Sequence, residues 1–253
     1  MTVDLVFLLF ALVVVAAYTV QTATGFGAMV VCLTFGAQLI GLDRVIHLMV
    51  PLSFLQTGYI VIRHRDGIEW GLLLKRIVPL MAIGMGCGFL LLTKVGGPWL
   101  GLAFGLMVLA LSARDLRQLR AGGDGPEKPI SRSASVAAML GAGIVHGIYA
   151  AGGPLLVYAV GREGLGKKHF RSTLSMVWIL LNIILITRFV RAGYYDTTVA
   201  LDIALLVPAI PLGILMGEWV HHKVDERRFR VAVLILLAVA AISLIVRYSG
   251  ELL

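Results

Sequence analysis

Two short stretches combine glycine with side chains that hydrogen-bond: Gln21-Thr22-Ala23-Thr24-Gly25-Phe26-Gly27 and His146-Gly147-Ile148-Tyr149-Ala150-Ala151-Gly152-Gly153-Pro154. Apolar sequence flanks both, so neither reads as an ordinary surface loop. Where a helix restarts after Gly25 or Gly152, its first N–H groups lack acceptors and its dipole adds partial positive charge, which suits an oxyanion. Gly25, Gly27, Gly152 and Gly153 allow the backbone to approach such a guest closely. Gln21, Thr22, Thr24, His146 and Tyr149 then supply side-chain hydrogen bonds. For any single glycine, close helix packing is an equal alternative. The recurrence of a polar, glycine-rich break favours a binding site.

A second set lies in the stretch 170–190, where Ser172, Ser175 and Asn182 follow helical spacing and share one face. Ser53 and Gln56 form a similar pair earlier in the chain. Hydroxyls and amides bind sulfonyl or carboxyl oxygens without the desolvation cost of a buried charge; their alternative role is interhelical hydrogen bonding. His146 is an ionisable group in apolar surroundings, which makes it a candidate for anion binding or proton relay beside a purely structural role. Lys75, Arg76 and Arg188 read as snorkelling anchors, whereas Arg171, next to Ser172, reads as an anion-attracting vestibule group. His47, Asp43 and Arg44 read as an interfacial polar cluster, and Glu218 as paired near His221 and His222.

Catalytic patterns are missing: the sequence has no paired carboxylates within apolar segments, no HExxH, no GxSxG and no GxxxxGK[ST]. No catalytic residue, metal or cofactor is expected. Cys32 and Cys87 lack metal-ligand spacing and read as small core residues.

The elements that must position these groups follow from composition. Of 253 residues, 59% are hydrophobic and 14% charged, against about 25% charged in soluble domains. Apolar runs recur throughout, and about 20 such residues cross a hydrocarbon core. The chain therefore reads as an all-α integral membrane protein. Polar breaks predict helices near 4–20, 27–41, 45–63, 71–93, 97–118, 135–150, 153–162, 170–190, 198–220 and 229–248. The first run lacks a basic leader and a cleavage site, so it reads as a retained helix. A net charge of +8 resides in short connections without a basic stripe, which argues against nucleic acid.

A hydrophilic linker, 114–134, separates two similar membrane repeats, 1–113 and 135–253. VPLMAIGMGCGFLLLTKV from Val78 parallels VPAIPLGILMGEWVHHKV from Val207, and one spacing pairs Pro79 with Pro208, Gly84 with Gly213 and Gly88 with Gly217. Farther upstream a slightly shorter spacing pairs Gln56 with Asn182. Lys and Arg concentrate in Arg63–Arg76, the linker, Arg162–Arg171 and His221–Arg230, and such regions stay cytoplasmic. That alternation requires an odd number of crossings per half, about five, so the repeats are inverted. In each half, two short helices form a hairpin broken at the glycine junction, and three transmembrane helices follow. The two tips are expected to approach near the bilayer midplane.

The GFG at Gly25–Gly27, the AGGPLL from Ala151, the RSTLS from Arg171 and the paired VP-to-KV blocks resemble the sulfite exporter TauE/SafE family over nearly the whole chain. At both junctions GFG and AGGP replace the family's typical glycine triplet. The resemblance implies movement of sulfite, sulfonates or related organosulfur anions, usually outward, across the cytoplasmic membrane. The expected protein is a multi-pass secondary transporter of the bacterial inner membrane, working by alternating access. Its expected partners are a small anionic sulfur-containing substrate, the lipid bilayer, a coupling proton and a second copy in a homodimer. An anion channel of this architecture, an uptake permease for another organic anion, an intramembrane enzyme and an assembly subunit are the rival readings.

Overall fold

In lipid, each backbone polar group must find its partner within the protein, and a continuous apolar run does so most locally as a helix. The computed structural model describes residues 5–94, 98–120, 131–161, 163–223 and 226–251, and among them there is no strand. The helices are α1 (Leu5–Thr24), α2 (Ala28–Ile40), α3 (Leu42–His64), α4 (Trp70–Leu92), α5 (Pro98–Arg120), α6 (Arg132–Tyr149), α7 (Gly153–Val160), α8 (Lys167–Arg191), α9 (Thr197–Val220) and α10 (Glu226–Gly250). Five of them, α1, α3, α4, α8 and α9, are long and apolar enough to cross a membrane.

The expectation of two short helices at each junction needs correction. α1 has 20 residues and α6 has 18, whereas α7 has only 8, about 12 Å of rise. Only the second helix of each pair is short, because α1 continues through the polar residues Gln21–Thr24 and α6 starts three residues before the expected position, at Arg132. Within the 114–134 linker, residues 114–120 continue α5 and 132–134 begin α6; residues 121–130 lie outside the described part.

Proline shapes both fourth helices. Lacking an N–H, it cannot complete the ladder, and its ring crowds the preceding turn. Ahead of Pro79, α4 widens into a π-turn over Leu73–Ile77; at Val207–Pro208, α9 relaxes into a turn between Leu206 and Ala209.

The main packing partners are α1 with α9, α4 with α6, α3 with α8, and α5 with α10. Exchanging the halves leaves this set unchanged. Glycine permits the closest crossings: Gly84 and Gly88 lie on the carbonyls of Leu140 and Ile144, and Gly213 and Gly217 lie on α1 around Val15, Tyr18, Thr19 and Thr22. For these glycines the packing role holds.

Contacts group the connections at two ends. At one, Arg44 Nη2 pairs with Asp202 Oδ2 at 2.7 Å, His47 stacks on Tyr194 at 4.1 Å, and Arg247 donates to the carbonyl of Gln38 at 3.0 Å. At the other, Arg76 pairs with Glu163 at 2.8 Å and donates to Ser135 at 2.9 Å, while Glu69 contacts His169 at 2.7 Å. Arg76 is thus an ion-pair partner rather than a free anchor, and Arg44 reaches across to α9 instead of staying in a local cluster with Asp43.

Leu12, Ile62, Leu90, Leu215 and Val246 point outward, while Gln21, Gln56, His146, Asn182 and Asp202 are buried. Such an inside-out distribution suits a lipid surround. Cys32 is buried, but Cys87 is exposed, so the expected core role fails for the second cysteine: in α4 the outer face is as apolar as the inner one.

Candidate functional site: a cavity where two broken helices meet

α1 ends because Gly25 turns left-handed at φ +87°, a conformation that costs a residue with a Cβ, and its N–H closes onto the carbonyl of Gln21 at 2.7 Å. α6 ends in the same way at Ala150, φ +54°, whose N–H closes onto the carbonyl of His146 at 2.8 Å. Gln21 and His146 therefore occupy matching places, one turn before each stop. α2 restarts behind Gly27 and α7 behind Gly152, and no side chain caps either start. Pro154 brings no N–H of its own, so α7 offers one donor fewer than α2.

The two junctions converge. Gln21, Gly27, Met29, Val30 and Ser53 from one half, with His146, Ala150, Ala151, Gly153, Trp178 and Asn182 from the other, line one narrow cavity, part of it open to the outside. Among the described residues its wall bears no formal charge; its polarity comes from amides, a hydroxyl, an imidazole and two helix starts.

The polar groups on the two sides are held differently. Gln21 donates from Nε2 to Gln56 Oε1 at 2.6 Å, and Gln56 donates to Thr22 Oγ1 at 3.3 Å. Gln56 is fully buried, so this chain fixes the orientation of the Gln21 amide. His146 is only 1% exposed, and no protein group meets full hydrogen-bond geometry at either ring nitrogen, although the Asn182 side chain lies beside it as a weak partner. Its ring stacks near Trp178, 5.5 Å between centroids. A buried polar atom without a fully formed hydrogen bond is costly, about 1–3 kcal/mol. A guest with acceptor or donor oxygens relieves that cost.

The profile of the sulfite exporter TauE/SafE family matches residues 9–244, nearly the whole chain. The chain belongs to this family. No curated protein and no solved structure matches it. Membership in TauE/SafE makes it a membrane protein of a transporter family rather than an enzyme family, with sulfite or related organosulfur anions as the substrate class.

Within this TauE/SafE chain, the residues singled out by sequence fall into groups. Gln21, Gly27, His146, Gly153 and Asn182 reach the cavity wall, while Thr22 and Gln56 stand behind it. Gly25 forms the turn and packs on Arg171, whose Cγ lies 3.6 Å from where a Cβ would stand. Arg171 thus backs the first junction, with its Nε buried and unbonded. Gly152 packs on the carbonyl of Ala142, and Ser172 lies against Gly67. Tyr149 meets Phe104 at 4.9 Å, and Ser175 is buried in α8 away from the wall. The side chains of Thr24, His221 and His222 lie outside the described part.

Ser53, which the sequence pairs with Gln56, belongs to the wall, and so does Trp178, which was not singled out by sequence. Trp178 stands four residues before Asn182, so helical spacing places it on the same face. Asp202 was not among the expected site residues, although a lone acid in an apolar run is a signal; its partner, 158 positions away, was not legible.

Proposed function

We propose that this chain is a secondary transporter that exports sulfite, a sulfonate or a related organosulfur anion across the bacterial inner membrane by alternating access, with the anion held between the two junctions. The observation carrying this reading is the convergence, in one cavity, of two uncapped helix starts with a buried imidazole whose ring nitrogens lack a fully formed protein hydrogen bond. Backbone N–H groups near Gly27 and Gly153, with Gln21, His146, Ser53 and Asn182, would contact the anion's oxygens. Gln56 and Thr22 hold Gln21, and Arg171 draws anions toward the first junction.

An inverted pair of repeats accounts for several independent features. The packing set survives exchange of the halves, and the junctions end at equivalent left-handed residues. Two of the four basic connections, 63–76 and 162–171, touch one another, as do the less basic 42–47 and 188–196. By the cytoplasmic preference of Lys and Arg, the first pair faces the cytoplasm. The hairpins then enter from opposite sides.

An uncharged wall compensates one negative charge better than two, since dipoles repay only part of an ion's desolvation. Monoanions such as bisulfite and small sulfonates are therefore favoured over sulfate. Membrane potential or a proton provides the driving force. Counterflow of labelled sulfite and sulfonates in proteoliposomes tests the reading: saturable exchange inhibited by small sulfonates supports it. No exchange for any organosulfur anion removes the substrate assignment, and large unitary currents would replace the transporter with a channel.

A further inference from the structure

Two ion pairs outside the cavity join the halves in matching places. Arg44 lies at the start of α3, four residues beyond the end of short α2, and pairs with Asp202 in the first two turns of α9 at 2.7 Å. Glu163 lies three residues beyond the end of short α7, and pairs with Arg76 in the first two turns of α4 at 2.8 Å. Each pair therefore ties the fourth helix of one half to the exit of the other half's short helix. The polarity is reversed: the fourth helix supplies the acid in one pair and the base in the other.

We infer that these two pairs are the latches of alternating access, one for each face, so that Arg44–Asp202 and Arg76–Glu163 open in turn. The inference rests on the transport mechanism proposed above. Its geometry is specific, because the short helices carry Gly27 and Gly153 into the cavity wall, so releasing the far end of either helix frees one side of the site. The Asp202 carboxylate is completely buried, and its Oδ1 bonds to no protein group. Such a group tolerates loss of its cation only if water replaces it. Opening at that face and hydration of the Asp202 side chain are one event, and the remaining latch keeps the other face shut meanwhile.

The test uses Ser53→Cys in the cavity, in a background with Cys32→Ala and Cys87→Ala, labelled by a membrane-impermeant maleimide in right-side-out and inside-out vesicles. Asp202→Asn should speed labelling about tenfold from the face bearing the 42–44 and 188–196 connections, the population shift expected on losing one such interaction. Glu163→Gln should do so from the opposite face. The exchange Arg44→Asp with Asp202→Arg should restore the original rate. Arg44→Gln, at a half-exposed position, repeats the first arm should Asp202→Asn misfold. Faster labelling from the same face in both variants, no change in either, or no restoration by the exchange overturns the inference. Sulfite counterflow by the chain with Ser53, Arg44 and Asp202 unsubstituted, in parallel vesicles, separates the two ideas. Counterflow with unchanged labelling removes the latches alone, and face-specific labelling without counterflow removes the substrate reading alone.

Discussion

At the residue scale, the site depends on how few bonds its polar groups make within the protein. His146 is a buried ring stacked on Trp178 with no fully formed protein hydrogen bond, so His146→Ala should lower the melting temperature through the cavity it leaves yet still fold, while weakening sulfite binding by about tenfold or more, the loss expected for one hydrogen bond to a charged group. Sulfite-dependent thermal shift and counterflow check this together; unchanged affinity would make the imidazole structural. Gln21→Ala acts differently, because it strips Gln56 Oε1 of its donor in a fully buried position. It should lower stability by about 1–3 kcal/mol as well as transport. The junction turns make a paired prediction. Gly25→Ala should cost about 1 kcal/mol from the left-handed backbone alone, since its Cβ would meet Arg171 only at ordinary contact distance. Ala150→Gly, at φ +54°, should not destabilise; thermal melts of both variants in detergent decide.

At the scale of elements, glycine sets the distance between the halves. A Cβ at Gly84 or Gly88 meets a backbone carbonyl of α6, which cannot rotate aside, whereas one at Gly86 meets nothing. Gly84→Val should therefore abolish a monodisperse species on size-exclusion chromatography, and Gly86→Ala should be tolerated or slightly stabilising through helix propensity. Gly217→Val should behave like Gly84→Val, since Gly217 faces α1 at Thr19 and Thr22. Equal tolerance of all three variants would contradict the close crossings. These glycines were legible as a repeated pair in the sequence, but their partners were not, because a spacing between repeats says nothing about which opposing helix each one meets.

At the scale of the molecule, two clusters of contacts separate the connections, with Arg76–Glu163 and Glu69–His169 at one end and Arg44–Asp202 and His47–Tyr194 at the other. The inverted arrangement predicts that Asp66→Cys and Thr198→Cys, both exposed, react with an impermeant maleimide from opposite sides of the membrane, Asp66→Cys from the cytoplasm. Labelling of both from one side would refute the topology. The clusters also explain why charge alone located the ends: Lys and Arg cannot cross the apolar core cheaply, so their distribution along the chain records the side on which each connection stays.

Among the described residues, the sequence by itself determined the ten helices and the two polar glycine breaks, because an apolar run in lipid has few alternatives to a helix, and polar residues clustered with glycine interrupt it where single glycines and Pro51 do not. Only the tertiary structure decided how each helix is rotated about its axis. Asn182 reaches the cavity while Ser172 packs on Gly67, and Ser53 reaches it while Gln56 stands behind Gln21. Cys32 faces inward and Cys87 outward. In water, hydrophobicity would mark the inner face; in a bilayer the lipid side and the protein side are equally apolar, so close packing and a few polar contacts between distant segments make that choice.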